Sequence, residues 1–357
     1  MRAHAHERAR GPRSGKTMSQ ASRALAYAFE TGTLAERRAF FLRAEDPPFA
    51  EVDSEQSFRP DFLKLKRAKP RIESGSWPLG LVLMTKHKEE NFANVARAWA
   101  LLEPGGTLVC SGSNDDGAAS LEKQVGKALG LGGTLSKFHC RVFWITKGEA
   151  EPPPYWRGLA GLQPVGDSTW LSRPGIFSWD KVDDGSALLA SHVPEDLSGH
   201  VADFGCGWGY LARLMLQPAV THVDLIDAEH LALDAARANI IDPRASFHWL
   251  DLTREPAPAA YDTIVCNPPF HTGRASTPGL GQSVIEAAAR ALKPGGQLYM
   301  VANRGLPYEP MLKASFVSFE TLADNNKFRV TRAIAGAAPS PRAETFRERR
   351  QSSPRAR

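Results

Sequence analysis

The chain has 357 residues, of which 42% are hydrophobic and 23% charged; this is the composition of a globular protein with room for two cores. No uninterrupted apolar run approaches the ~20 residues of a membrane span, and no membrane partner is expected. The net charge of +5 sits in the tails. Arg2, Arg8, Arg10, Arg13 and Lys16 oppose only Glu7 at one end. Arg342, Arg347, Arg349, Arg350, Arg355 and Arg357 oppose Glu344 and Glu348 at the other. The body between them is net acidic, so the basic balance is no argument for nucleic-acid binding by the folded part.

Residues 1–19 and 337–357 are expected to be disordered basic tails. The first of these has no apolar h-region and is not a secretory signal. It is Arg-rich enough to imitate an organellar transit peptide, but a protein start at Met18 is the simpler expectation. Residues 20–147 then form a first domain. Its clearest stretches are "LGLVLMTKHKEENFANVARAWA" and "LLEPGGTLVCSGSN" (101–114), which read as strand, helix, Pro-Gly-Gly turn and strand. Three consecutive prolines in "GEAEPPPYWRG" (148–158) predict a stiff extended linker over 148–164.

From 165 to 336 strand and helix periods alternate. "HVADFG", "HVDLID", "SFHWLDL", "YDTIVC" and "GQLYMVAN" read as strands; "YLARLMLQ", "HLALDAARANI" and "SVIEAAARAL" read as helices. Strict alternation predicts an α/β, doubly wound, mostly parallel sheet. "SFVSFETLA" and "KFRVTRAI" are expected to close one edge as antiparallel strands. "ALKPGGQLYMVANR" (291–304) repeats the pattern of 101–114, with the glycines of both expected to cap a helix. The first domain therefore reads as a duplicate of the second. It lacks a Gly-x-Gly turn and places Thr85-Lys86-His87-Lys88 where the second has Asn-Pro-Pro-Phe, so its cofactor and catalytic positions are lost.

The loop "DFGCGWGY" puts Gly205, Gly207 and Gly209 between a strand and a helix. Such glycines let a ligand approach main-chain N–H groups, and alone they suit a nicotinamide cofactor, S-adenosylmethionine or a plain turn. The dinucleotide spacing fails at Tyr210, and no Lys or Arg is there for a pyrophosphate. The next strand ends in Asp227, about 20 residues on, where a carboxylate can accept both ribose hydroxyls. The one after ends in Asp251, placed for an adenine amine. A helix cap and a turn residue are the structural alternatives for these two. The four cysteines (Cys110, Cys140, Cys206, Cys266) contain no CxxC, so neither a zinc site nor a disulfide framework is expected, and a reducing cytoplasm is expected.

"CNPPFH" (266–271) ends an apolar strand in two prolines that cannot donate to a sheet ladder. The fixed corner offers Asn267 Oδ1 and the Pro268 carbonyl as paired acceptors for a planar NH₂, and Phe270 as a stacking surface. If the electrophile is a sulfonium methyl, no strong base is required and alignment carries the catalysis, an effect that reaches ~7–11 kcal/mol.

These motifs, "DFGCGWGYLA", "LIDAEHLALDAARANI" and "YDTIVCNPPFHTG", resemble those of class I S-adenosylmethionine-dependent methyltransferases. The Asn-Pro-Pro-Phe-His form resembles the ribosomal RNA guanine-N2 methyltransferases, chiefly the small subunit methyltransferase C type. "PGIFSWDKVDDGSALLA" (174–190), "ANRGLPYEPMLKASF" and "NNKFRVTRAI" extend the resemblance over residues 165–336. It implies a Rossmann-like seven-stranded methyltransferase sheet preceded by a degenerate copy, with a guanine amine of ribosomal RNA, free or in a ribosomal subunit, as substrate. It further implies that Asp203, Gly205, Gly207, Asp227 and Asp251 hold S-adenosyl-L-methionine, with Gly185 and Ser186 beside it. Asn267, Pro268 and Phe270 would hold the base. His271 matches the motif without a single implied role. No metal site and a monomer are expected. A base inside a duplex must be extruded to reach such a corner. Arg59, Lys64, Lys66, Arg67, Lys69 and Arg71, opposed by Asp61, form a basic cluster that suits RNA phosphates or a solvated loop. Methylation of adenine N6 or a protein glutamine, and a non-catalytic RNA-binding assembly factor, are the alternatives.

Overall fold

The computed structural model describes residues 18–269, 271–272, 275–276 and 278–336; the tails ahead of Met18 and after Gly336, and Phe270, lie outside them. Seven strands, β1 (Ala39–Leu42), β2 (Val52–Glu55), β3 (Ala68–Lys69), β4 (Trp77–Leu83), β5 (Leu102–Ser113), β6 (Gly133–Lys137) and β7 (Cys140–Thr146), build one sheet in the order β3-β2-β1-β4-β5-β7-β6. A small ribbon of β8 (Gln163–Pro164) and β9 (Leu171–Ser172) follows. The second sheet contains β10 (Gly199–Phe204), β11 (Val220–Asp227), β12 (Ala245–Trp249) and β13 (Tyr261–Cys266). After a second ribbon, β14 (His271–Thr272) with β15 (Ala275–Ser276), it is completed by β16 (Leu292–Asn303), β17 (Ser318–Asp324) and β18 (Phe328–Ile334). Its order is β12-β11-β10-β13-β16-β18-β17. Both sheets share one pattern: parallel strands winding out from the centre, closed by an antiparallel pair.

The central strands are apolar on both faces because helices cover both. In the second sheet, Phe204, Ile264 and Met300 face one core and Val201, Leu225 and Val265 face the other. The covering helices supply apolar stripes; in His230–Asn239 the buried residues are Leu231, Ala232, Leu233, Ala235 and Ala236.

The duplication is visible atom by atom at the two Pro-Gly-Gly motifs. Gly105 (φ 79°) and Gly295 (φ 77°) adopt the same left-handed backbone. Gly105 N–H donates to Lys147 O and Lys147 N–H to Gly106 O; Gly295 N–H donates to Ala335 O and Ala335 N–H to Gly296 O. These glycines do not cap helices, contrary to expectation. The helix Lys88–Leu101 ends on an extended Leu102, and the motif is an irregularity inside the strand itself. Methylene-scale space is absent there. A Cβ on Gly296 would lie 2.9 Å from Lys293 O and 3.0 Å from Tyr261 O, and one on Gly106 would lie 2.9 Å from both Glu103 O and Trp77 O.

Registering the copies on these motifs fixes every other equivalence. Val82 pairs with Cys110 as Cys266 pairs with Met300, so Val82 matches Cys266. Asn267 is therefore matched by Leu83, two residues earlier than the expected Thr85. Leu42 pairs with Val82 and Phe204 with Cys266, so Asp203 is matched by buried Phe41 and Gly205 by Arg43. Leu42 pairs with Glu55 and Phe204 with Ile226, so Asp227 is matched by Gln56.

The copies meet through equivalent segments. Arg59 N–H donates to Ala228 O at 2.7 Å and His230 N–H to Ser57 O at 2.8 Å, around an antiparallel bridge of Phe58 with Glu229. Phe58 pairs with its own counterpart Glu229, and the Arg59-to-Ala228 bond is mirrored by the His230-to-Ser57 bond, the signature of an isologous two-fold contact within one chain.

The proline run is not a free extended spacer. Pro153 and Pro154 start a short helix, Pro154–Leu159, because a first-turn proline loses no helical hydrogen bond. Its Trp156 stacks on Phe92 at 4.6 Å, inside the first core. Gly296→Ala is expected to cost about 1–3 kcal/mol in denaturant unfolding. Gly158→Ala, where nothing lies within 4 Å of the added carbon, is expected to be neutral or slightly stabilising.

Candidate functional site

The carboxyl ends of β10, β11 and β13 lie side by side, because Phe204 pairs with both Ile226 and Cys266. The glycine loop leaves β10 at this edge with φ of 77° at Gly205, 53° at Gly207 and 92° at Gly209, values that favour glycine. Gly205 and Cys206 N–H groups donate to Ile226 O, and Gly207 N–H donates to Asp227 Oδ2 at 2.8 Å. The heavy atom nearest a Cβ on Gly205 would be Asn267 O, at 3.9 Å, so the loop runs beside the proline corner.

Three carboxylates lie at or just beyond the ends of β10, β11 and β12. Asp203 is fully buried, neither oxygen has a well-aligned hydrogen-bond donor among the described residues, and burial pushes its pKa up to about 8 against the opposing pull of the Ala212 backbone N–H. Asp227 receives Gly207 N–H on Oδ2 and Glu229 N–H on Oδ1, each at 2.8 Å, and burial pushes it up to about 6. Each of its oxygens retains acceptor capacity. Asp251 receives Thr253 N–H and Oγ1 on Oδ1, while its buried Oδ2 has no hydrogen-bond donor, Arg254 Nε standing off at 3.6 Å. Buried polar atoms left without partners are uncommon, and two of the three carboxylates have them.

The corner is held from an unexpected side. Asn267 Nδ2 donates to Asp183 Oδ2 at 3.1 Å and to Ser186 Oγ at 2.9 Å. Asp183 Oδ2 also accepts Ser186 N–H at 2.8 Å, capping the helix Asp184–Ala190. A carboxylate only accepts, so it fixes which end of the amide turns toward it and leaves Oδ1 turned the other way. Ser186 thus stands against Asn267 itself. Gly185 has to be small, since a Cβ would lie 3.0 Å from Asp183 Oδ2 and 3.1 Å from Phe328. Pro268 is buried and Pro269 exposed. Asp183 was missed by sequence reasoning; its signal is the helix-start pattern Asp-Asp-Gly-Ser. Phe270 and the His271 side chain lie outside the described residues.

The first copy reaches into this edge through two arginines. Arg43, at φ 56° in the position equivalent to Gly205, donates to Glu90 Oε1 (2.6 Å), Ser57 Oγ (2.6 Å) and Glu229 Oε2 (2.9 Å). Burial opposes its charge, but Glu229 and Glu90 hold its pKa above the ordinary guanidinium value. Arg59 grips Glu255 with two bonds, of 2.9 and 2.7 Å, and Glu255 Oε2 in turn accepts Asp251 N–H. The arginine hydrogen bond holds the Glu255 carboxyl below its usual range. Glu229 and Glu255 are therefore anchored from the first copy and contact Asp227 and Asp251. This alters the reading of the basic cluster. Arg59 is paired, Arg71 stands 3.8 Å from Asp234, and Lys64 pairs with Asp61. Lys66, Arg67 and Lys69 are exposed.

The methyltransferase small domain model matches residues 167–332. The ribosomal RNA small subunit methyltransferase C of Shewanella piezotolerans is 34% identical over 243 residues, 64% of this chain and 69% of that protein. Its counterpart in Yersinia pseudotuberculosis is 33% identical over 265 residues, 71% of this chain and 74% of that protein. A solved structure of the T. thermophilus 16S rRNA N2 G1207 methyltransferase in complex with AdoMet and guanosine superposes with a TM-score of 0.72 at 23% identity, covering 89% of this chain and 92% of that one. That likeness shows the doubly wound, duplicated fold. With the identity and coverage of the Yersinia and Shewanella relatives, the chain belongs to the ribosomal RNA small subunit methyltransferase C family.

Proposed function

We propose that the chain transfers the methyl group of S-adenosylmethionine to the exocyclic N2 amine of a guanosine in small-subunit ribosomal RNA. It would act as a monomer in the cytoplasm. Family membership supports the reaction, and one observation carries the chemistry: the Asn267 amide is clamped through its nitrogen, with no described residue donating to its oxygen.

The residues present fit the cofactor. An adenosine needs acceptors for two ribose hydroxyls and a ring amine, and its amino-acid end needs a negative charge. Asp227, the unpartnered Oδ2 of Asp251 and the unpaired Asp203 offer these. Gly205 and Gly207 keep the loop bare for close approach. When bound, the sulfonium supplies an electrophilic methyl and its own leaving group. The rest is positioning by the chain. Asn267 Oδ1 and the Pro268 carbonyl each accept one N–H of the guanine amine, which orients the nitrogen lone pair toward the glycine loop. Asp183 and Ser186 prevent rotation of the amide. Phe270 would stack on the base. Lys66, Arg67 and Lys69 can take RNA phosphates.

The idle-scaffold alternative describes the first copy. Phe41, Arg43, Gln56 and Leu83 stand at the positions of Asp203, Gly205, Asp227 and Asn267. The second copy retains every group. Tritiated cofactor incubated with small ribosomal subunits, naked DNA and protein separates the remaining amines, and label confined to protein would refute the RNA reading.

Asn267→Ala is expected to slow single-turnover methyl transfer by about 10²–10³-fold. Calorimetric affinity for S-adenosylmethionine is expected to change less than about twofold; equal loss of both would contradict the role. A second prediction concerns Asp203. Its carboxyl is raised in the folded chain, so the folded state holds more protons than the unfolded one between about pH 4 and 8, and ligand-free stability falls as pH rises through that window. A cationic amine near it favours the charged form, so cofactor binding releases a proton and affinity rises with pH up to about 8. Calorimetry in buffers of different ionisation enthalpy reads that proton, and Asp203→Asn is expected to abolish it.

A further inference from the structure

Asp224 lies on β11 three residues before Asp227 and is 2% exposed. Four side chains converge on it. Oδ2 receives Tyr261 OH at 2.8 Å and stands 3.0 Å from His200 Nε2; Oδ1 stands 2.9 Å from His248 Nε2 and 3.2 Å from His222 Nε2. His200 and His222 are register partners on β10 and β11, their rings edge-to-face at 4.8 Å. Asp224 follows His222 by two residues and shares its face. One ligand atom each from His200, His222 and Asp224 lies within 4.8 Å of the others. Tyr261 and His248 alone would give each carboxylate oxygen a donor, so burial of Asp224 does not by itself call for the other two imidazoles.

We propose that His200, His222 and Asp224 form a binding site for a divalent transition-metal ion of the zinc type. Two imidazoles and a carboxylate suit Zn²⁺, Co²⁺ or Ni²⁺ and are a poor match for Mg²⁺ or Ca²⁺, which prefer oxygen alone. A solvent water completes a four-coordinate site. On binding, each ligating nitrogen gives up its donor role and carries its proton on Nδ1. Tyr261 and His248 remain on Asp224 and orient it, as outer partners of metal sites do. The imidazoles are 25% and 37% exposed, which gives an ion access from solvent. The framework is rigid, because the ligands come from adjacent paired strands and His200 N–H is held by Asp262 Oδ2, itself paired with Lys293.

The site is at the opposite edge of the sheet from the proline corner. His200 precedes Gly205 by five residues of extended chain, about 16 Å. The ion touches no group assigned to methyl transfer. It ties together β10 and β11, the strands that carry the glycine loop and Asp227, and acts as a staple for them.

His4 and His6 form a His-x-His sequence outside the described residues, so the test uses the full-length His4→Ala/His6→Ala chain, stripped with chelator. Titration with CoCl₂ followed by visible absorption, and with ZnCl₂ by calorimetry, is expected to give one ion per chain. Zinc at a hundredfold excess over Kd is expected to raise Tm by about 5 °C. His222→Ala, the more exposed and least disruptive change, is expected to lose the ion and the Tm shift while keeping its metal-free Tm and its methyl transfer within about twofold. His248→Gln is expected to keep one ion with weaker affinity. Absence of binding, or one ion retained in both His222→Ala and His200→Ala, would overturn the proposal; in the first case the cluster is a hydrogen-bonded one only.

Discussion

A missing hydrogen-bond donor organises the proline corner of the second sheet. In the first copy the chain passes β4 and continues in register, with Met84 N–H donating to Ser111 O at 2.8 Å. The equivalent residue in the second copy is Pro268, which has no N–H to give. The backbone therefore leaves the sheet at Asn267, and the amide that would otherwise point into packing, as Leu83 does in the first copy, stands at the strand end beside Gly205. Asp183 then takes the amide nitrogen and turns the oxygen away from itself. Proline, asparagine and aspartate act as one unit, and the methyl-transfer proposal depends on it.

The first copy is structurally continuous with the second. Arg43 stands where the second copy has Gly205, keeps the same left-handed backbone and pairs its charge with Glu90 and Glu229. Arg59 does the same for Glu255, with its guanidinium lying over Trp249 at 5.0 Å. The partly buried pairs cross a two-fold contact of equivalent segments, so the first copy anchors Glu229 and Glu255, whose N–H and carboxylate groups bond Asp227 and Asp251.

Much of this was legible in the sequence, for physical reasons. Buried parallel strands are near-continuous apolar runs, and "YDTIVC" matched β13 at both ends. Turn chemistry placed Gly205, Gly207, Asp227 and Asn267 at strand ends, and the paired Pro-Gly-Gly motifs signalled the repeat. The failures share a cause, which is that local patterns do not report tertiary partners. Three prolines read as a spacer, yet Pro154 opened a helix once Trp156 had Phe92 to stack on. Pro-Gly-Gly read as a helix cap, yet the antiparallel neighbour supplied donors and acceptors that kept it inside a strand. The offset between Leu83 and Thr85 was invisible without the sheet register. Asp183, Arg43 and two of the histidines around Asp224, His200 and His248, act across 84, 186 and 24 residues of chain, respectively, and no spacing rule spans such separations.

The most direct measurement is a crystal structure of the chain with a non-reactive cofactor analogue and guanosine. The account predicts the guanine N2 within about 3.0 Å of Asn267 Oδ1, with Nδ2 still on Asp183 and Ser186. A guanine whose N2 lies elsewhere, or an Asn267 oxygen directed at the Asp184–Ala190 helix, would contradict it.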